Sequence, residues 1–310
     1  MTKAVLYRIL YYVVFNTTFS GGKNLNDSRT AVLVDSGCDL GTKLAEQYQI
    51  KVVRLKVIYP EKVYEDGLDI DPMEVYRRFP DVIPKTSTPN VTEVEEVIKT
   101  IREEGYKNII GITISSGLSG TNNVFRLAFS ELKDMGTFLF DTKNISIGAG
   151  IYAVWTAQKL AEGWSFEETS KELEKKQHDS RLCYYMNTLD YLAKGGRITP
   201  SIAIVGKILH LKPIISCNNE GIYYTAAIIR GAAKGMSKLI DMEAEAARSM
   251  KGKLWATVMN GDAQSSIPEV TKMLFEKIPG ITIMVESQIT ASMAIHTGPG
   301  LIGIGVFDAG

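Results

Sequence analysis

One stretch of the chain decides its fold: Ile112-Thr113-Ile114-Ser115-Ser116-Gly117-Leu118-Ser119-Gly120-Thr121. An apolar run from Asn108 to Ile114 stops abruptly in serines and glycines, and an amphipathic pattern from Val124 to Leu132 follows it. These features predict a strand, a tight turn and the start of a helix. Because the first N–H groups of a helix are free and its dipole is positive there, the turn is a candidate anion site. It contains no lysine, which weakens any comparison with a phosphate-binding P-loop.

A second segment has the same pattern. Lys85-Thr86-Ser87-Thr88-Pro89-Asn90 precedes an amphipathic helix whose apolar positions run from Val91 to Ile101. Thr88 is predicted to cap this helix, with Pro89 at its first position. The two hydroxyl-bearing segments could therefore converge on one anionic group. Helix capping alone would also explain each of them.

Composition and charge narrow the classes of function. The 310 residues include 35 Lys plus Arg and 35 Asp plus Glu, so no net charge favours nucleic acid or an anionic membrane. The length suggests two domains. Three cysteines and three histidines are widely scattered, which indicates a reducing compartment without a disulfide framework or a metal site. These residues are Cys38, Cys183, Cys217, His178, His210 and His296. We expect a cytoplasmic protein without a cofactor.

The N-terminal region raises the question of targeting. Val5 to Phe15 is rich in apolar residues but too short to span a bilayer, and no signal-peptide cleavage pattern follows it. We expect residues 1–29 to form an extension, a helix that lies on the protein or on a partner subunit, followed by a linker. Transient membrane contact is the alternative.

Strand and helix patterns alternate from residue 31 onward, which predicts an α/β fold with a mostly parallel, helix-covered sheet in the first of two domains. We expect these domains to span residues 30–175 and 176–310. Ligands of such sheets bind beyond the carboxyl ends of the strands. The predicted strands include Ala31–Val34, Val52–Tyr59, Asn108–Ser115, Thr137–Phe140, Leu182–Asn187, Pro213–Ser216, Ile222–Ala227, Leu254–Met259 and Ile281–Glu286. A helix is expected at Ile198–Leu209, among others.

Six groups of residues, taken in order, resemble the DegV family of bacterial proteins, which bind fatty acids. The resemblance covers about residues 31–307. The groups are Asp35-Ser36, Thr86-Ser87 with Pro89, Ser115-Ser116-x-Leu118-Ser119-Gly120-Thr121, Leu189-x-Tyr191-Leu192-x-Lys194-Gly195-Gly196-Arg197 with Lys212-Pro213, Arg230-Gly231, and Ile295-His296-Thr297-Gly298-Pro299-Gly300. The chain departs from the family pattern at Thr88, Asn122 and Gly37-Cys38.

The resemblance implies that one long-chain fatty acid, such as palmitate, lies in a tunnel between two α/β domains. It also implies a separate kinase that phosphorylates the bound carboxylate, so the chain would be a carrier subunit rather than an enzyme. Either a monomer or a dimer is compatible with this.

The family's carboxylate ligands correspond to Thr86 and Ser119, with His296 nearby. We add Ser87, Ser116 and Gly120 as further candidates for the same site. Three apolar segments are candidates for lining the tunnel, although core packing explains each equally well. They are Ile202–Leu211, Ile214–Ile215 and Ala226–Ile229.

Three residues have two possible interpretations each. We expect His296, followed by a Thr-Gly-Pro-Gly turn that includes Gly298, to hydrogen-bond the carboxylate, although an isolated histidine is often structural. Arg197 would cap a helix C-terminus or face the ligand entrance. Arg230 would dock the kinase or belong to a solvated helix face with Lys234 and Lys238.

Three rival functions remain at this stage, of which one is a purely structural or interaction protein; it leaves the paired hydroxyl clusters unexplained. Ser119, His296 and Asp35 could form a serine esterase triad, although the G-x-S-x-G pattern of such enzymes is missing. Gly298-x-Gly300-x-x-Gly303 fits a dinucleotide-binding fingerprint, but Pro299 interrupts it and no βαβ unit can follow.

Overall fold

The computed structural model describes residues 26, 28–198 and 211–310. The expected N-terminal helix and the expected helix at Ile198–Leu209 therefore lie almost wholly outside the described residues. Within the described part, the strands form three sheets with helices packed between and around them. This is the two-domain α/β architecture that the alternating pattern predicts.

The first sheet is four-stranded and entirely parallel, with strand order β2-β1-β6-β7. All four strands lie between Thr30 and Asp141. They are β1 (Thr30–Asp35), β2 (Lys51–Val53), β6 (Asn108–Thr113) and β7 (Gly136–Asp141). All four carboxyl ends point to the same edge, where Asp35 and Asp141 both accept N–H groups from the segment that follows β6.

A small antiparallel sheet, with strand order β4-β3-β5, lies next to this edge. Its strands are β3 (Lys56–Ile58), β4 (Val63–Glu65) and β5 (Lys85–Ser87). The extended run predicted over Val52–Tyr59 contributes to two sheets, because the chain leaves the parallel sheet after Val53 and joins the small sheet at Lys56. This change of sheet places Thr86 opposite Val57.

The third sheet is six-stranded and mixed, with order β10-β9-β8-β13-β11-β12. Only β11 and β12 pair in parallel; the other neighbours are antiparallel. The strands are β8 (Ser180–Tyr185), β9 (Leu211–Cys217), β10 (Tyr223–Arg230), β11 (Leu254–Gly261), β12 (Thr282–Gln288) and β13 (Leu301–Asp308). The sequence pattern did not predict β13, although this strand lies in the middle of the sheet.

Ten α-helices are described in this part of the chain. They are α1 (Gly41–Gln47), α2 (Pro72–Arg78), α3 (Val91–Glu103), α4 (Thr121–Ser130), α5 (Ile147–Ala161), α6 (Phe166–Lys175), α7 (Asp190–Lys194), α8 (Ala232–Ser249), α9 (Ile267–Lys277) and α10 (Ala291–Thr297). Short 3-10 turns lie at Ser36–Cys38 and Gln264–Ser266.

Helix α5 explains how the two larger sheets are held together. It contacts β1 and β6 of the parallel sheet and β8, β11 and β13 of the mixed sheet. A helix that is apolar on every side is a buried helix, and all but three of the 15 residues of α5 are buried. The core between the sheets is therefore continuous through α5, while α3 and α4 cover the outer face of the parallel sheet. Helices α8 and α9 pack against the outer face of the mixed sheet.

Candidate functional site

The loop between β6 and α4 is fixed by polar contacts on its outer side. Ser116 donates its N–H to Asp141 Oδ1 over 3.1 Å, and the Lys143 ammonium forms an ion pair with Asp141 over 2.7 Å. Ser115 donates its hydroxyl to the Gly221 carbonyl over 2.8 Å. These contacts hold the loop against both its own sheet and the hairpin between β9 and β10.

Glycine is required at the point where this hairpin meets the loop. A Cβ atom on Gly221, whose φ is +76°, would lie 1.9 Å from Ser115 Oγ. A Cβ on Gly117 would lie 2.9 Å from the Gly221 carbonyl oxygen. The close approach of the two backbones therefore depends on both residues lacking a side chain.

Ser119 lies on the inner side of the same loop. Its Oγ is 2.8 Å from Thr121 Oγ1 and accepts the Thr121 N–H over 3.3 Å. Helix α4 begins at Thr121, directly after the serine- and glycine-rich turn. The predicted helix start at the serine-rich turn is thus confirmed, and the Ser119 hydroxyl lies at it.

Thr86 reaches the site in a different way from the one predicted. The expectation that Thr88 caps a helix beginning at Pro89 was wrong, because Asn90 caps α3 and forms a reciprocal capping box with Glu93. Thr86 and Ser87 instead lie on strand β5, where the backbone pairs with β3. Asn90 is a stronger cap than Thr88, so the helix starts later and the preceding residues extend into a strand.

His296 completes the polar group. Its Nε2 lies 2.8 Å from Thr86 Oγ1, although the two residues are 210 positions apart in the chain. Burial, and then the positive charge of Arg197, lower the pKa of His296 to about 3. The imidazole is therefore neutral at physiological pH.

Two neighbours shape the space around the imidazole. A Cβ on Gly195 would lie 2.3 Å from His296 Nδ1, so only glycine allows the ring to approach the end of α7. Nδ1 is buried and has no hydrogen-bond partner among the described residues. Arg197 donates to the Gly195 carbonyl at the C-terminal end of α7 and also lines the cavity.

These groups surround a cavity of about 380 Å³, a volume typical of small-molecule sites. Hydroxyls, an imidazole and a guanidinium contribute the polar part of its lining, and aliphatic and aromatic side chains contribute the rest. The apolar lining residues are Leu55, Ile114, Leu118, Ile145, Tyr223 and Met293. The arrangement suits a molecule with an anionic end and an apolar body.

Six of the nine predicted site residues line this cavity. They are Thr86, Ser87, Ser119, Gly120, Arg197 and His296. The remaining three lie elsewhere: Ser116 accepts a hydrogen bond from Lys143, and Arg230 is exposed at the end of the edge strand β10. Gly298, whose φ is +70°, packs against the ring of Tyr191.

None of the described residues of the three predicted tail-lining segments lines the cavity. Ile214 and Ile215 are buried in two separate cores, and Ala226–Ile229 lies on β10 outside the cavity lining. Ile202–Leu211 lies outside the described residues except for Leu211.

The sequence analysis did not predict four other lining residues, Leu55, Tyr223, Ser292 and Met293. Met293 precedes His296 by three positions, a helical spacing that could have suggested a shared face.

Neither rival arrangement is assembled in the described residues. His296 pairs with Thr86, while Asp35 accepts the N–H groups of Gly37 and Ile114, each over 2.9 Å. The contacts of a serine esterase triad are therefore not made. Gly298 and Gly300 lie between a helix and a following strand, and Gly303 lies within that strand, which is the reverse of the strand–turn–helix order of a dinucleotide fingerprint.

Two further observations concern metal ions and membranes. No group of three or more His, Cys, Asp or Glu side chains in the described ranges is placed to hold a metal ion. None of the helices described is both long and apolar enough to cross a membrane.

Comparison with known proteins identifies the family. Residues 29–309 match the DegV family of uncharacterised proteins. A DegV domain-containing protein of Clostridium acetobutylicum is 34% identical over 279 residues, which cover 90% of this chain and 99% of the relative.

Solved structures agree with this match. A DegV family protein from Thermus thermophilus, studied for fatty-acid binding, superposes with a TM-score of 0.81 at 26% identity, covering 90% of this chain and 99% of that one. A stearic-acid-binding protein from Eubacterium ventriosum also gives a TM-score of 0.81 at 26% identity, with 90% and 98% coverage. The chain belongs to the DegV family.

Proposed function

We propose that this protein binds one long-chain fatty acid, with the carboxylate on the hydroxyls of Thr86 and Ser119. The observation that carries the proposal is the convergence of these hydroxyls, His296 and Arg197 on one cavity whose remaining lining is apolar. Relatives of the same fold bind fatty acids, including stearic acid in one case. Both the chemistry of the site and the family therefore support the same ligand.

The energetics assign different roles to the two ends of the ligand. Burying a carboxylate is costly unless its oxygens accept hydrogen bonds, and each charge-assisted bond contributes roughly 1.5–3 kcal/mol net. A sixteen-carbon tail contributes on the order of 12 kcal/mol gross, at about 0.8 kcal/mol per buried methylene. Ordering the ligand offsets much of this gain. The tail therefore dominates the affinity, and the hydroxyls set the orientation.

His296 acts on the carboxylate through Thr86. We assign its proton to Nε2, since the ring then donates to Thr86 Oγ1, 2.8 Å away. The Thr86 hydroxyl is then free to donate its own proton to the carboxylate. A neutral imidazole fits this role, and Arg197 supplies the positive charge of the site.

The headgroup end of the cavity is open enough for a partner to reach it. Ser87 and Gly120 line the cavity and are exposed to solvent. We propose that a separate kinase phosphorylates the carboxylate here, in the cytoplasm, and that Arg230 docks that kinase. In this account the chain is a carrier subunit made of two domains, residues 30–175 and 176–310.

The lipid content of the purified protein tests the binding proposal. Denaturation followed by mass spectrometry of the organic extract should yield one long-chain fatty acid per chain. A Thr86→Val, Ser119→Ala double variant should retain much less of it, because both headgroup donors are removed. Extracts without fatty acid, from protein that also fails to bind added palmitate, would contradict the proposal.

A reconstituted assay with a bacterial fatty acid kinase tests the carrier role. His296→Ala should reduce acyl-phosphate formation more than it reduces lipid content. Arg230→Glu should abolish acyl-phosphate formation and leave the lipid in place, whereas Arg248→Glu, at an exposed position near the end of α8, is the matched charge-reversal control. Equal turnover by all variants would refute the role of both residues.

A further inference from the structure

Two buried aspartates hold the first turn of α10, the helix that carries His296. Asp39 Oδ1 accepts the Thr290 N–H over 2.8 Å, and Asp66 Oδ1 accepts the Ser292 N–H over the same distance. Both carboxylates are essentially inaccessible to solvent, with 1% and 0% of their surface exposed. Both residues lie more than 220 positions before the helix in the chain, so these contacts join distant parts of the fold.

Asp66 connects several parts of the cavity lining at once. Its Oδ2 accepts the Ser292 hydroxyl over 2.6 Å and the Ser36 hydroxyl over 2.7 Å. Ser36 Oγ in turn accepts the Leu55 N–H over 3.0 Å. Leu55, Ser292 and Gly37, which follows Ser36, all line the cavity. One carboxylate therefore links three segments that surround the ligand.

The spacing within α10 transmits this contact to His296. Ser292 and His296 are four positions apart, so they lie on the same face of the helix, about 6 Å apart along its axis. A short helix moves as a unit, and a hydrogen bond tolerates only a few tenths of an ångström of displacement before it weakens. A shift of the first turn would therefore reach the 2.8 Å contact between His296 and Thr86.

Apolar packing holds α10 in the core without fixing its position as closely. Met293, Ala294 and Ile295 belong to the central core cluster. Apolar contacts are non-directional, whereas a carboxylate that accepts several hydrogen bonds specifies one position of its donors. Loss of the carboxylate should therefore leave the helix folded but displaced.

We propose that Asp66, supported by Asp39, is a positioning residue that sets the contact between His296 and Thr86 and thereby the recognition of the ligand carboxylate. The inference rests on the proposed function. Burial raises the pKa of Asp66, and the pKa of Asp39 is raised to about 7 for the same reason. Their hydrogen-bond donors oppose this increase, which is the expected compensation for a buried acid.

Competition binding tests the proposal with two ligands of equal tail length. Palmitate and 1-hexadecanol would each displace the fluorescent fatty acid cis-parinaric acid from the wild type, Asp66→Asn and Asp69→Asn. Asp66→Asn should bind palmitate about tenfold more weakly and hexadecanol within about twofold of the wild type, because only carboxylate recognition is lost. Asp69→Asn is the matched control, since Asp69 accepts a hydrogen bond in the same loop but is exposed.

Nuclear magnetic resonance supplies a readout that a general loss of stability would not change. In folded Asp66→Asn, the His296 imidazole should titrate at a higher pH than in the wild type, since a displaced ring is more solvated. If Asp66→Asn does not fold, Ser36→Ala is measured instead, because it removes one hydroxyl donor from Asp66 and the acceptor of the Leu55 N–H. This variant should show the same selective loss of palmitate binding, but a smaller one.

Three results have distinct meanings. A wild type that binds neither ligand contradicts the proposed function itself. A wild type that prefers palmitate, together with a folded Asp66→Asn of unchanged preference and unchanged His296 titration, overturns the positioning role alone. An equal loss of palmitate and hexadecanol binding also overturns it, because that result indicates a general disruption of the cavity.

Discussion

The two hydroxyl-bearing segments of the site differ in how the fold holds them. The loop from Ser115 to Thr121 lies at the carboxyl edge of the parallel sheet, and Asp141, Lys143 and Gly221 fix it from outside. Strand β5, which carries Thr86, belongs to a small antiparallel sheet whose three strands are each three residues long. The Thr86 side chain depends on His296, from a helix near the other end of the chain.

From this difference we infer that one side of the proposed headgroup site is preformed and the other is adjustable. Ser119 lies in a loop that the backbone and side chains of its own sheet and of the β9–β10 hairpin hold from outside, without a hydrogen bond from α10 among the described residues. Thr86 is fully placed only when α10 has docked and its first turn is held by Asp39 and Asp66. Disruption of the first side should therefore cost stability, whereas disruption of the second should mainly cost ligand recognition.

The largest expected effect comes from the preformed side. Gly221→Ala should lower the free energy of unfolding by about 3 kcal/mol, because the left-handed backbone costs about 1 kcal/mol and the collision with Ser115 adds the rest. Urea denaturation measures this loss. Gly163→Ala is the control, since its φ is +94° but no atom lies within 4 Å of the added carbon. Equal losses in both variants would mean that the loop and the hairpin are not tightly packed.

Double-mutant cycles on fatty-acid affinity sharpen the comparison. Thr86→Val and Ser119→Ala should each weaken palmitate binding about tenfold, since each removes one donor to the carboxylate. Combined with His296→Gln, Thr86→Val should show a coupling energy of about 1 kcal/mol, whereas Ser119→Ala should show almost none. Isothermal titration calorimetry provides the affinities. Equal coupling for both residues would contradict the separation into two sides.

The pH dependence of stability tests the environment of His296. The pKa of the imidazole is lowered to about 3 in the folded protein, so the unfolded chain takes up a proton near pH 6.5 and the folded chain does not. The contribution of His296 is therefore fully present above about pH 6.5 and is lost progressively as the pH falls towards 3.

Comparison with a variant isolates this contribution from that of other groups. Asp35 and Asp39, whose pKa values burial raises to about 7, act in the opposite sense, since they gain protons on folding as the pH falls below 7. Between about pH 7.5 and about pH 5, wild type should lose more unfolding free energy than His296→Gln. Identical pH profiles from urea titrations would show that the imidazole is solvated.

The smallest effect separates helix capping from ligand binding. Asn90→Ala should cost about 1 kcal/mol of unfolding free energy by removing the cap of α3, while palmitate affinity stays within about twofold. Ser165→Ala, which removes the equivalent capping box of α6, is the matched control for stability. A selective loss of palmitate affinity in Asn90→Ala would show that the start of α3 belongs to the site after all.

Local patterns were sufficient to predict the parallel sheet and the loop that carries Ser119. There the strand, the turn and the helix are adjacent in sequence, and the hydroxyls mark the junction. The same logic misplaced Thr86, because Thr88-Pro89 and Asn90 compete for the helix start and pairing with β3 decides the outcome. Tertiary pairing of this kind leaves no local signal.

Long-range contacts account for what the sequence could not show. Asp66 lies in a segment that reads as a polar loop, yet the fold buries it completely against α10. Strand β13 contains three apolar residues around two glycines at its start, so it resembles a continuation of the preceding turn rather than a central strand. The family resemblance, by contrast, led us to expect His296 beside Thr86 and Ser119, and all three residues line one cavity; the motif carries information that periodicity lacks.

A crystal structure of the protein with palmitate tests the central claim most directly. The account predicts that the carboxylate oxygens lie within about 3.2 Å of Thr86 Oγ1 and Ser119 Oγ, with the tail running past Leu118 and Met293. A carboxylate bound elsewhere, such as the polar cleft beside Lys143 and Arg181, or a tail outside this cavity would contradict it.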